Sequence, residues 1–200
     1  MKQHSTKADG FTLVEILVVI SIITVLAGLA VSAMSGAQNS AARNRARAEI
    51  SALSLAIESY KTDNGDYPRD TNTTDALDAT QATSGGALIS NGAYMPSSVT
   101  LYSALSGDSS LLGTATAKVY FPFRPNMLYP KVPAGTARTA ATKVQAIIDP
   151  FRNCYGYSTI GSGTAAVTGT VGYNPTFDLW STAITDPNNL PTPAAWITNW

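Results

Sequence analysis

Histidine and cysteine are almost missing from this chain of 200 residues, which holds only His4 and Cys154 of their kinds. A single cysteine excludes an intrachain disulfide and every paired-cysteine metal spacing, and such a thiol is most often a small buried hydrophobe. Charge is scarce as well, at 13%, with 13 basic residues against 13 acidic ones. No basic excess points to a nucleic-acid partner. Arg43, Arg45 and Arg47 cluster locally, but alternate residues spread around a helix, so they read as a solvated or subunit-contacting face. No proline occurs before Pro68, so nothing forces a helix to break over the first third of the chain. A Walker A loop is absent too. Gly161-Ser162-Gly163-Thr164-Ala165-Ala166 has the letters of a dinucleotide-binding loop, but no βαβ unit surrounds it to give those letters meaning. Asp63, Asp66 and Asp70 lie close together, and turn chemistry accounts for them without catalysis.

What is present is concentrated at the front. From Phe11 to Val31 almost every residue is apolar, a run long enough to cross a hydrocarbon core of about 30 Å. Glu15 interrupts it near its start. A carboxylate inside a membrane-spanning segment costs on the order of a few kcal/mol and calls for a partner. The head, Met1 to Gly10, is short and polar and carries Lys2, His4 and Lys7. Two plainer readings compete here. A secretory signal peptide needs a small-residue cleavage site after the apolar core, which Ala27-Gly28-Leu29-Ala30 or Val31-Ser32-Ala33 could supply weakly. A simple single-pass anchor would let Glu15 reach back to the headgroups. An acid in the core weighs against the signal peptide. Lys2, Lys7 and the initiator amine favour a cytoplasmic N-terminus.

The helical pattern continues beyond the apolar run. Ala46, Ile50, Leu53, Ile57 and Tyr60 recur at spacings of four and three, one stripe of an amphipathic helix. Read together, residues 12 to 61 predict one helix of about 75 Å. It should stop at Asp63-Asn64-Gly65, where glycine supplies a left-handed residue and Pro68 blocks resumption. A short helix is expected around Thr74 to Thr83, capped by Thr74 and anchored by Leu77, and another turn of helix at Leu101 to Leu105. Strand signals follow at Val144 to Asp149, Cys154 to Thr159 and Thr176 to Ser181, with Lys118 to Phe123 demoted by Pro122. Gly161 to Gly172 reads as a hairpin loop or short extra strands. Trp196 to Trp200 reads as an aromatic anchor that docks on the sheet.

The string Gly10-Phe11-Thr12-Leu13-Val14-Glu15-Ile16-Leu17-Val18-Val19-Ile20 behind a basic head resembles the class III signal of type IV pilins and type II secretion pseudopilins. Ser59-Tyr60-Lys61-Thr62-Asp63-Asn64-Gly65-Asp66-Tyr67-Pro68 is similar to the helix exit of the major type II secretion pseudopilins. Asp149 to Tyr157 and Phe177 to Ser181 resemble their strand entry and their Tyr-Asp-Leu-Tyr-Ser strand. The resemblance covers residues 1–68 and 149–181 and implies an α+β, pilin-like fold, in which a long N-terminal spine helix packs on a small antiparallel sheet. It implies a leader over 1–10, a membrane and assembly helix over 11–35, and a periplasmic globular domain over 36–200 into which the helix continues to about residue 62. Prepilin peptidase is expected to cut between Gly10 and Phe11, with the new N-terminal Phe11 methylated and Glu15 serving assembly. The cut would remove His4 and with it any histidine-based catalysis or metal site, so the implied role is structural, not enzymatic. Implied partners are other copies of the chain, the peptidase, and an inner-membrane platform with an ATPase motor. The alternatives are a type IV pilus subunit for adhesion, motility or DNA uptake, and a membrane-tethered periplasmic binding domain. The major pseudopilins also bind calcium in a loop after the last strand. Here that segment reads Thr182 to Asn189, where Asp186 with Asn188 is the candidate, set against an ordinary Asp-Pro turn.

Overall fold

The computed structural model describes residues 11–162 and 172–200, with the backbone alone over residues 30–35. It divides into two compact units, Met1–Ala41 and Ala42–Trp200. The second unit begins at Ala42, later than the expected residue 36, because residues 36–41 are all exposed and Ala46 is the first buried one.

Helix α1 runs Leu13–Asn64. It ends where the sequence places its end. Gly65 takes the left-handed conformation (φ 84°) and its N–H donates to the Lys61 carbonyl at 2.8 Å, satisfying a carbonyl that the helix leaves open. Within the second unit the expected stripe is the buried one: Ala46, Ile50, Leu53 and Ile57 are at most 3% exposed, and Ala56 joins them. Tyr60, at the far end, is only partly buried.

The expected helix over Thr74 to Thr83 does not form; turns occupy that stretch, and a 3₁₀ turn follows at Ser84–Ala87. Thr74 is taken by longer-range bonding. Its buried hydroxyl accepts the Asp70 N–H at 2.9 Å and lies 2.7 Å from the Thr159 hydroxyl. Asp75 is held by Arg69 at 2.7 Å and Thr159 at 2.6 Å. Tertiary bonding thus outbids a helix of weak formers. The other short helix is longer than its sequence signal. Helix α2 spans Met95–Ser106, because Pro96 falls in its first turn, where a missing N–H costs nothing. It stops at Gly107 (φ 66°), where a Cβ would meet the Ala117 carbonyl oxygen at 2.6 Å.

Two small antiparallel sheets follow. Strand β1 (Leu128–Tyr129) pairs with β2 (Ala146–Ile147), Leu128 opposite Ile147. Strand β3 (Gly156–Ser158) pairs with β4 (Asp178–Ser181), and β4 with β5 (Ile197–Thr198), in the order β3-β4-β5. The strongest strand signals therefore become β3 and β4, and the aromatic tail is itself the third strand. Val144 to Asp149 yields only the two residues of β2 and a bridge from Ile148 to Cys154. Lys118 to Phe123 forms no strand; its Tyr120 and Phe121 N–H groups both donate to the Leu105 carbonyl, at 2.8 and 3.0 Å. Most of Gly161 to Gly172 lies outside the described residues.

All of β4 is buried, so the three-stranded sheet has two covered faces. Leu179 packs in one cluster with Ile50, Leu53, Ile57, Tyr155 and Tyr157. Alternation sends Trp180 the other way. There it lies parallel to Trp196 at 6.1 Å and edge-on to Tyr94 at 5.4 Å. Cys154 is buried in this second cluster, and burial pushes its thiol up to about 12.

Candidate assembly helix

The start of α1 is fixed by a reciprocal cap. Thr12 precedes the first helical residue. Its hydroxyl accepts the Glu15 N–H at 3.3 Å, and the Glu15 carboxylate accepts the Thr12 N–H at 2.8 Å and its hydroxyl at 2.7 Å. This is a capping box, Thr-x-x-Glu, which satisfies donors that every helix start leaves open. Sequence reasoning treated Glu15 as an acid in need of a distant partner and passed over this near one. The signal was legible in Thr12-Leu13-Val14-Glu15. The remaining polar side chains of the segment also bond locally: Ser21 donates to the Val18 carbonyl at 2.8 Å and Thr24 to that of Ile20 at 2.7 Å. Self-satisfied polar groups of this kind suit a helix that leaves water.

Around that polar inventory, the large apolar residues from Leu13 to Leu29 are all between 47% and 86% exposed, and Phe11 is 85% exposed. They cover every side of the helix rather than one stripe. Burying a large aliphatic side chain stabilises by roughly 1.5–3 kcal/mol, so a dozen of them in water cost on the order of 20 kcal/mol. That exceeds the whole stability of an ordinary domain, about 5–15 kcal/mol. A helix apolar all round belongs in lipid or among other helices. Among the described residues no helix is long and apolar enough to cross a membrane; the side chains described as apolar stop at Leu29, and the sequence Ala30-Val31-Ser32-Ala33-Met34-Ser35 continues beyond them. Gly10 lies outside the described residues, so the junction with Phe11 is known from sequence alone.

Lower on α1, Glu49 accepts the Tyr155 hydroxyl at 2.8 Å and the Arg45 Nε–H at 2.8 Å, tying the helix to the sheet. Arg43 donates to the Ala195 carbonyl at 2.7 Å. The Asp149-Pro150-Phe151-Arg152-Asn153 motif is structural. One Asp149 oxygen accepts the N–H groups of Phe151 and Asn153, both at 2.9 Å, and the other accepts the Ser181 hydroxyl at 2.5 Å. Burial nonetheless raises this acid to about 6, against those three donors, with Glu49 adding to the rise.

The calcium candidate lies in the loop between β4 and β5. There Asp186 is exposed; one of its oxygens accepts the Asn188 N–H at 2.9 Å, and its carbonyl accepts the Asn189 N–H at 3.1 Å. Calcium takes six to eight oxygens with carboxylates supplying the charge. One carboxylate engaged in its own turn does not fit that requirement, and no cluster of three or more His, Cys, Asp or Glu side chains placed to hold a metal exists among the described residues.

Two family models match this chain. "Prokaryotic N-terminal methylation motif" covers residues 5–31, and "Type II secretion system (T2SS), protein G" covers residues 33–101. Over its N-terminal half the chain is thus similar to the type II secretion pseudopilins. Its curated relatives carry the same description. Type II secretion system core protein G of Escherichia coli (strain K12) is 48% identical over 62 residues, 31% of this chain and 43% of the relative. The protein of that name from Pectobacterium carotovorum subsp. carotovorum is 44% identical over 66 residues, 33% of this chain and 42% of the relative. That of Aeromonas hydrophila is 41% identical over 71 residues, 36% of this chain and 50% of the relative. The chain spans about half the length of these relatives, or less. No solved structure matches it. Neither family match reaches the Asp149 and Phe177 motifs, whose pseudopilin likeness rests on their own residues.

Proposed function

We propose that the chain is a structural subunit of a helical filament, a type II secretion pseudopilus, that polymerises through its N-terminal helix. The observation that carries the reading is the capped first turns of α1, whose large apolar side chains are all exposed, inside a segment that matches the N-terminal methylation motif. Before assembly the helix spans the inner membrane once, with its N-terminus in the cytoplasm. Prepilin peptidase cuts between Gly10 and Phe11, and Phe11 is methylated. An inner-membrane platform with its ATPase motor then draws the helix out of lipid into a bundle of identical helices, leaving the filament in the periplasm. Both environments hide the same apolar surface, so transfer between them is close to balanced in hydrophobic terms. The amine freed on Phe11 of an incoming subunit can meet Glu15 of a subunit already in the filament, a pairing that offsets the cost of a carboxylate in a dry environment. The protein-G match over residues 33–101 favours the pseudopilus over a type IV pilus.

Two measurements test this. N-terminal analysis of the membrane-extracted protein should begin at methylated Phe11; an intact Met1, or a start after Ala30 or Ala33, would remove the assignment. Co-production with a type II secretion machinery should yield sedimentable filaments. A chain that stays monomeric under those conditions is a tethered periplasmic domain instead.

A further inference from the structure

Beyond the protein-G match, which ends at residue 101, the charge of the chain changes character. From Ser109 to Ile148 there is no acid, while Lys118, Arg124, Lys131, Arg138 and Lys143 all fall in that stretch. Lys118 pairs with Asp63, and the other four form no ion pair among the described residues. A chain of balanced charge therefore carries one cationic stretch that its own acids do not neutralise, and such a stretch attracts anions.

The same stretch walls a cavity of about 430 Å³, whose lining residues all fall between Tyr102 and Arg138. Val119, Phe121, Phe123, Leu128, Val132 and Pro133 give it apolar sides. The Phe123 ring stands 4.8 Å from that of Phe121 and 5.1 Å from that of Tyr102. Two charged side chains reach the cavity, and they differ in what they have left to offer. Asp108 is 1% exposed; its oxygens accept the Ser110 and Gly113 N–H groups at 3.1 and 2.6 Å, and the Ser110 and Tyr102 hydroxyls at 2.6 and 3.0 Å. Four donors thus consume that carboxylate. Arg138 is half-buried and spends only its Nη1, which donates to the Thr142 carbonyl at 2.7 Å. Its side chain passes Gly113, where a Cβ would stand 3.7 Å from the Arg138 Cδ. Its Nε and Nη2 have no partner among the described residues. Those two nitrogens form the edge of the guanidinium whose N–H groups run parallel, the fork that matches both oxygens of a carboxylate. Arg124 and Lys131 directly precede the lining residues Pro125 and Val132, so their charge adds to the attraction.

We propose that this cavity binds a single carboxylate carried on an apolar body, with Arg138 forking the two oxygens and the rings of Tyr102, Phe121 and Phe123 covering the body. The volume suits such a ligand, since small-molecule pockets run from roughly 300 to 1,000 Å³ and combine apolar walls with a few orienting polar groups. The site lies outside the segment shared with the pseudopilins and does not depend on the filament reading.

The test is calorimetric titration of the full chain in a non-ionic detergent with two pairs of probes. One pair is 4-phenylbutanoate and its amide; the other is the tripeptide acetyl-Leu-Pro-Phe as free acid and as amide. The acid of at least one pair should bind about tenfold or more tightly than its amide, the amide having no charge for the fork to meet. Arg138→Gln should abolish that preference, and Arg138→Lys should lose most of it by replacing a fork with a point charge. Val119→Asp, at a position 48% exposed, sets an acid in the wall and should weaken the acid probe while sparing the amide. A Tm within about 2 °C of wild type shows that a variant keeps its fold. Preference for the tripeptide acid alone supports the end of a polypeptide as the ligand, and equal binding of 4-phenylbutanoate supports free carboxylic acids. Equal affinity for acid and amide, a preference that survives Arg138→Gln, or no binding of either acid overturns the proposal.

Discussion

Leu53 and Leu55 lie two residues apart on α1 and face opposite ways, so the same substitution should carry very different stability costs at the two sites. Leu53 is fully buried against the sheet, and Leu55 is 72% exposed. Leu53→Ala removes a packed side chain from a cluster that includes Tyr155, Tyr157 and Leu179. Buried leucine truncations cost the lost transfer energy plus a cavity term, about 2.7–5.0 kcal/mol, depending on how far the site collapses. Taking about 3 kcal/mol, and about 2–4 °C per kcal/mol for a domain of this size, Tm should fall by about 6–12 °C. Leu55→Ala loses little burial and exchanges one strong helix former for another, so its cost should stay within about 0.5 kcal/mol, or about 2 °C. The assay is thermal and urea unfolding of a fragment beginning near Ala37, which lacks the apolar turns but keeps the whole second unit. That fragment should be folded and monomeric. In the full chain Leu53→Ala should lower filament yield only as far as it lowers the amount of folded protein. Equal losses of Tm at the two positions would refute the placement of α1 on the sheet.

Three further outcomes follow from particular groups. Glu15→Ala should be inserted, cleaved and retained in the membrane yet enter filaments far less often, whereas Glu15→Gln keeps the helix cap and isolates the charge; if Glu15→Ala assembles like wild type, the carboxylate has no docking role. Asp149 is raised to about 6 by burial, so the folded state holds its proton more tightly than the unfolded chain does. Its contribution is therefore full below about pH 4 and is lost as pH rises through 6, by up to about 3 kcal/mol. Asp149→Asn can keep both N–H acceptances and donate to Ser181, so the Tm gap between wild type and this variant should shift in favour of wild type as pH falls from 6 to 4; a constant gap would refute the raised value. Saturating calcium should move the Tm of the fragment by no more than about 1 °C, and a stabilisation of several kcal/mol would show a site that the Asp186 loop does not display.

The sequence alone determined what depends on near neighbours along the chain. The apolar run, the stripe from Ala46 to Ile57 and the stop at Gly65 are one-dimensional patterns, and each is found where its spacing or backbone demand places it. The capping box was equally local and was legible in Thr12 and Glu15. Strands β3 and β4 announced themselves by aromatic residues, Tyr157 and Trp180, set between turn-forming glycine, asparagine and proline. Tertiary structure decided the rest. Thr74 to Thr83 has the residues of a weak helix, and it loses to bonds that Thr159 and Arg69 supply from elsewhere in the fold. Trp196 to Trp200 becomes a strand only because β4 offers it an open edge, and Trp180 gains its partners from segments distant in sequence. Tyr60 meets the Tyr120 ring edge-on at 5.2 Å only because the segment after α2 returns along α1. Strand pairing, sheet coverage and grooves join residues far apart in sequence, and whether such contacts form depends on what the rest of the chain leaves unpaired, which no local pattern records.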